Sequence, residues 1–160
     1  AAAVAMTSKP MPRDMIAVDT NILVYAHRED SEFHQTAYRR LMELAQGKGP
    51  WALPWPCVHE FFAIVTHPRI FNPPTPRELA LDQIDAWLES PSVTLLSETA
   101  GYWSELRLLL VSARVKGPMV HDARVAAICL QSGVRVLWSS DRDFGRFSAL
   151  TVVNPLTAGG

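Results

Sequence analysis

Five acidic residues stand where solvation alone explains a carboxylate poorly: Asp19, Glu60, Asp122, Asp141 and Asp143. Asp19 ends the apolar run Ile16-Ala17-Val18. Asp141 follows the mostly apolar stretch 134–138 within a few residues, and Asp143 comes two positions later. Glu60 interrupts Cys57-Val58-His59-Glu60-Phe61-Phe62, and Asp122 opens a stretch of small residues, Ala123, Ala126 and Ala127. Singly, each has a plain structural role: Asp19 as a turn or cap residue, Glu60 as a helix residue reaching solvent, Asp122 as a partner for a helix dipole. As a set they ask for more. An unpaired carboxylate on an apolar helix face costs on the order of several kcal/mol. No comparable cluster of Lys and Arg is at hand to pair with them, and mutual repulsion raises their pKa values. A hard divalent cation, Mg²⁺ or Mn²⁺, suits an all-oxygen site of carboxylate and water.

Those acids need elements that aim them at one place. The run 16–18 reads as a strand buried on both faces, followed by a helix over 22–26 with Thr20 or Asn21 as its cap. An amphipathic helix follows over 31–46, with Phe33, Ala37, Leu41, Leu44 and Ala45 inward. A short strand over 51–53 meets Pro54 and Pro56, which limit its pairing. A helix then starts near Pro56 and runs to Val65. Thr75-Pro76-Arg77-Glu78 reads as a capping box opening a helix with Leu79, Ile84, Trp87 and Leu88 inward. A strand over 93–96, a long helix over 99–115 (Trp103, Leu106, Leu109 and Leu110 inward), a helix over 122–131 capped by Gly133, and strands over 134–138 and 150–153 complete the chain. Strands alternating with helices predict an α/β fold, a three-layer sandwich with a mostly parallel central sheet. In such sheets the strands' C-terminal edges are the ligand-binding edge, which is where Asp19 and Asp141 fall.

The 160 residues, 48% apolar and 19% charged, predict one folded domain over 15–156. Residues 1–14 are expected to be disordered or an added leader, and 157–160 a tail. No apolar run reaches membrane-spanning length. Cys57 and Cys129 match no metal or redox spacing and are expected as buried free thiols, as in a reducing cytoplasm. The net charge of −1 weighs against a strong nucleic-acid binder unless acids cluster in one pocket with bases on its rim. The bases are nearly all Arg, the better fork for phosphate, since Lys occurs only at Lys9, Lys48 and Lys116.

The ordered motifs Val18-Asp19-Thr20-Asn21, Glu60 in an apolar helix, Asp122-Ala123-Arg124-Val125-Ala126-Ala127 and Ser140-Asp141-Arg142-Asp143-Phe144 resemble those of the PIN-domain nucleases, and within them the VapC-type toxins of bacterial toxin–antitoxin pairs. The resemblance spans Met15 to Leu156. It implies a ribonuclease using Mg²⁺ or Mn²⁺, with Asp19 and Asp122 as principal metal ligands. Glu60 and Asp141 complete the quartet, and Asp143 is a fifth acid. Thr20, Asn21 and Ser139 would orient a carboxylate or a water. The resemblance also implies a homodimer and a cognate VapB-type antitoxin that inserts a basic side chain among the acids.

The residues fit hydrolysis of a phosphodiester by metal-activated water, with Glu60 or Asp141 taking the water's proton. Arg28, Arg124, Arg142 and Arg146, each beside an acidic motif in sequence, are candidate RNA-phosphate contacts, and Arg114 and Lys116 could extend the path. The five histidines lack zinc-site spacing and are read as capping or packing residues. Two other readings compete. A phosphatase of the haloacid dehalogenase type wants a second Asp two residues after the first, where this chain has Asn21. A non-catalytic PIN-like module would bind RNA or protein through the same groove without needing every acid.

Overall fold

The computed structural model describes residues 15–157. The leader expected over 1–14 and most of the tail expected over 157–160 lie outside them. The elements are β1 (Ile16–Val18), α1 (Thr20–His27), α2 (His34–Gln46), β2 (Trp51–Pro54), α3 (Trp55–Val65), α4 (Arg77–Leu88), β3 (Val93–Leu96), α5 (Tyr102–Ser112), α6 (Val120–Gln131), β4 (Val136–Trp138) and β5 (Thr151–Val153). Short 3₁₀ turns cover Gly117–Met119 and Arg142–Arg146. All strands are parallel, in the order β3-β2-β1-β4-β5, with helices flanking them in a three-layer α/β sandwich.

That order decides where chemistry can sit. The chain leaves β1 toward β2 and β3, then crosses back to place β4 on the other side of β1. The β1/β4 boundary is therefore the switch point, where loops diverge and leave a crevice at the strand ends. Val18 pairs with Trp138, and the Asp19 N–H donates to the Trp138 carbonyl at 2.9 Å. The ladder thus carries Asp19 and the loop after β4 into register beside each other.

This edge of the sheet is deeply buried. Ala17, Val18, Trp51, Ala52, Leu53 and Leu137 are fully buried, as are Ala123, Ala126 and Ala127 on α6, whose small side chains allow close approach to neighbouring elements. Each large side chain so buried contributes about 1.5–3 kcal/mol. β2 runs without a loop into α3, where Pro56 sits in the first turn with no amide to leave unpaired. α6 ends as expected at Gly133, whose φ of 75° lets its N–H reach the Leu130 carbonyl while Val134 N–H reaches Cys129.

Several local expectations fail for tertiary reasons. The capping box at Thr75 does not form. Its hydroxyl instead meets His27 Nε2 at 3.1 Å and accepts from Arg28 at 3.3 Å, and Pro76 stands at the cap position. α1 begins at Thr20, so neither Thr20 nor Asn21 caps it; Asp19 holds that position without a side-chain cap bond. Phe33 lies outside α2 and packs on Tyr25. Leu79 is 55% exposed, and Ala80 with Trp87 forms the inward stripe of α4. α5 stops at Ser112, because Arg114 takes a left-handed φ of 53° that pairs Val115 N–H with Leu110. Its inward stripe is Tyr102, Leu106, Leu109 and Ala113, which turns Trp103 out to 61% exposure.

Candidate active site

The crevice at the β1/β4 switch is a cleft of about 290 Å³ lined by Asp19, Thr20, Asn21, Glu60, Asp122 and Asp141, with Val24, Tyr25 and Ile64 as its apolar wall. Four of the five expected acids line it, delivered by the end of β1, by α3, by the first turn of α6 and by the loop after β4. The fifth, Asp143, is exposed on the 3₁₀ turn beside Asp141.

Asp19 is the interior member, 7% exposed. The Ser139 hydroxyl donates to Oδ2 at 2.8 Å, and the Cys57 thiol donates to Oδ1 at 3.6 Å. Burial pushes its carboxyl up to about 6; the Ser139 bond and the Thr20 amide oppose the shift, and the negative charge of Glu60 adds to it. Ser139 also accepts from the Asp141 amide at 3.0 Å, and Asp141 Oδ1 accepts from the Asp143 amide at 2.9 Å. One relay therefore runs from the buried acid to the outer pair. Across the cleft, Thr20 donates to Glu60 Oε2 at 3.1 Å, fixing α3 against α1. Asn21 Oδ1 accepts from the Ser140 amide at 3.4 Å.

Asp122, Asp141 and Asp143 form the close-set group: each offers a carboxylate oxygen, all within 4.8 Å of one another. Burial raises the Asp122 carboxyl, and Asp141, Asp143 and Glu60 raise it further, with Arg146 as the opposing charge. Three converging carboxylates have the donor chemistry of a divalent-cation site. Asp19 is not a member of this triad; its two oxygens accept from Ser139 and Cys57 and keep lone pairs toward the cleft. Of the pair expected to lead, Asp19 is buried and Asp122 half-buried, and both line the cleft.

The arginines divide. Arg28 is not on this rim. It sits past the far end of α1, paired with Asp30 at 2.6 Å and stacked 4.2 Å from the Phe71 ring. Arg124 and Arg142 line the grooves on either side of the cleft, with Arg124 held by Glu98 at 2.7 Å. Arg146 donates to the Asp143 carbonyl at 3.0 Å and lies beside the acidic triad. Arg114 and Lys116 are exposed after α5 and line neither the cleft nor its two grooves. Cys57 was expected only as a buried free thiol, which it is. Its contact with Asp19 was missed, although its place one helical turn before Glu60 puts it on the same face of α3.

The PIN domain model matches residues 16–150. The chain belongs to the PIN-domain family and, within it, to the VapC proteins. It is 37% identical to Ribonuclease VapC43 of Mycobacterium tuberculosis over 143 residues, 89% of this chain and 96% of that protein. It is 30% identical to Ribonuclease VapC48 of the same species over 139 residues, 87% of this chain and 96% of that one. Among solved structures it resembles VapBC2 from Rickettsia felis, bound to a DNA fragment from their promoter, with a TM-score of 0.62 and 21% identity over 88% of this chain and 98% of that chain. M. tuberculosis VapC20, described as a sarcin-ricin loop cleaving toxin, aligns with a TM-score of 0.61 and 18% identity over 81% of this chain and 92% of that chain. At those identities the structural likeness concerns the fold.

Proposed function

We propose that this chain is a divalent-metal-dependent endoribonuclease toxin, restrained by a VapB-type antitoxin. The observation that carries the reading is the Asp122–Asp141–Asp143 triad facing the buried Asp19 across a switch-point cleft, in a chain that belongs to the VapC proteins. Asp19 and Asp122, completed by Asp141 and Asp143, would hold Mg²⁺ or Mn²⁺. When bound, such an ion lowers the pKa of water and offsets charge on phosphoryl oxygens.

The chain's own groups supply the rest. Glu60 is exposed at the cleft, and its Oε2 is occupied by Thr20. Oε1 is then free to take a proton from the attacking water. The water oxygen bonds to phosphorus, the bond from phosphorus to the 3′ oxygen breaks, and solvent protonates that oxygen. The products are a 5′-phosphate and a 3′-hydroxyl. Arg124 and Arg142, on opposite sides of the acids, would hold flanking phosphates.

A VapB-type partner is supported by the likeness to VapBC2 and to VapBC-1 from nontypeable Haemophilus influenzae, with a TM-score of 0.61. A basic side chain of that partner would replace the cation's charge. Trp103, Leu108 and Val111, at 61%, 61% and 66% exposure on one side of α5, favour a homodimer. A toxin that cleaves cellular RNA acts in the cytoplasm. No helix among the described residues is long and apolar enough to cross a membrane.

The test is cleavage of total RNA by the purified chain with Mg²⁺ or Mn²⁺, with and without chelator, followed by chemical identification of the new ends. Metal-dependent fragments with 5′-phosphates are expected. Cleavage that persists in chelator, or yields 2′,3′-cyclic phosphates, sinks the proposal.

A further inference from the structure

A second groove opens beside the acidic cleft and shares Glu60 with it. His59, His121 and Arg124 line it, over an apolar floor that includes Ala63 and Val125. On α3, His59 lies one turn after Trp55, and the two rings stack loosely at 6.0 Å and 30°. His59 is exposed. Arg124 is pre-set by Nε and Nη2 contacts to Glu98, each 2.7 Å. The groove on the cleft's other side shares Asp141 with it and is lined by Ser139, Ser140, Arg142 and Asn154, with no aromatic ring. Of the two side grooves, only the one beside Glu60 carries rings, those of His59 and His121.

We propose that the groove beside Glu60 is a base-binding subsite for one nucleotide of single-stranded RNA. The base stacks on His59, which Trp55 backs, and Arg124 holds a neighbouring phosphate. The assignment rests on the nuclease reading of the acidic cleft and adds to it a direction: the recognised base lies on the α3 side of the cut. A flat ring beside a fixed guanidinium matches a nucleotide better than a peptide side chain, since base stacking tolerates any base and the phosphate supplies the charge. The ring-free groove opposite suits backbone contact alone.

The experiment is steady-state cleavage of a single-stranded RNA oligonucleotide that the wild type cuts, with one abasic nucleotide moved along it. At one position next to the cut, the abasic substitution raises KM about tenfold in the wild type with kcat little changed. His59→Ala raises KM for the intact oligonucleotide by a similar factor and erases the abasic penalty at that position alone, the non-additivity expected of two groups in contact. His59→Phe restores both, because phenylalanine keeps the stacking face and carries neither charge nor hydrogen bond. If the wild type cuts while His59→Ala keeps both the KM and the abasic penalty, the subsite is overturned and the nuclease reading stands. If the wild type cuts no RNA with Mg²⁺ or Mn²⁺, the nuclease reading fails and takes the subsite with it. If His59→Ala leaves RNA cleavage unchanged but loosens a co-purified protein partner, the groove belongs to that partner and the base-binding assignment is wrong.

Discussion

The two halves of the acidic cleft carry negative charge in different ways. Asp19 is costly because of where it is: burial raises its carboxyl, while Ser139, Cys57 and the Thr20 amide resist the shift. Asp122 is costly also because of its company, since Asp141, Asp143 and Glu60 follow burial among the causes of its shift. A cation relieves the second kind of cost directly, by sitting among the carboxylates. It relieves the first only by facing a group already locked in place. The interior acid is thus pre-organised and the rim acids are responsive, a division that lets one ion fix both.

The largest effect expected of this division is on turnover. Asp122→Asn removes a member of the close-set triad and should lower RNA cleavage by more than about a hundredfold, with Mn²⁺ affinity falling in parallel. Asp19→Asn should lower cleavage as far, although Asp19 lies outside the triad. Asp143→Asn, exposed at the edge, should cost about tenfold. Near-equal, small losses for all three, measured with circular dichroism showing intact folds, would erase the distinction between interior and rim.

Next in size is the relay that joins the halves. Ser139→Ala deprives Asp19 of its shortest donor and the Asp141 amide of its acceptor. Such outer partners typically matter 10–100-fold in metal affinity or activity. Cys57→Ala removes only a weak S–H donor and should change metal affinity by no more than about threefold. Isothermal titration with Mn²⁺ on both variants orders them; a larger effect at Cys57 would mean the thiol, not the hydroxyl, positions Asp19.

Much of this frame was legible in the chain. The unbroken apolar run ending in Asp19, and the mostly apolar 134–138 with Asp141 three residues beyond it, announced strand ends, and the alternation of strands with helices announced the parallel sheet. The meeting of those two ends was legible too, given the habit of α/β sheets. What the chain hid were choices made by distant neighbours. Nothing near Thr75 shows that His27 and Arg28 will claim its hydroxyl. Nothing near Asp19 shows that a thiol 38 positions away will claim one of its oxygens. Trp103 was misplaced because four apolar residues were fitted to one face when α5's stripe runs through Tyr102 instead. Arg28 differs: Asp30 was two residues away, and the ion pair between them was there to be read.

Acidity should separate the halves further. Metal binding needs Asp19 deprotonated. With its carboxyl at about 6 in the metal-free protein, Mn²⁺ affinity should be steady above that pH and fall up to about tenfold per unit below it. Ser139→Ala takes away a bond that lowers the Asp19 pKa, so its midpoint should move to higher pH. A wild-type midpoint near 4, the ordinary carboxylate range, would show that Asp19 does not govern binding.

The smallest expected effect is on stability, and its sign is the most telling. The folded pKa of Asp19, about 6, lies above the 3.8 of an unperturbed aspartate. Between those values the folded, metal-free chain holds the proton more tightly than the unfolded chain does. Unfolding free energy from this group therefore falls as pH rises through that window and levels off above it, a penalty of at most about 3 kcal/mol at neutral pH. Asn in its place carries no charge to desolvate but accepts weaker hydrogen bonds, so Asp19→Asn should stabilise the metal-free protein by about 1 kcal/mol at pH 7.5. The gain should vanish at pH 4. Excess Mn²⁺ should reverse the order, raising the wild-type midpoint in urea and leaving the variant's nearly where it was. Asp122, whose carboxyl is raised too, should add a penalty of the same sign, and Asp122→Asn should relieve it. A metal-free Asp19→Asn protein less stable than wild type at pH 7.5 would mean that Ser139 and Cys57 already compensate the interior charge in full, and that the two halves of the cleft carry their charge alike.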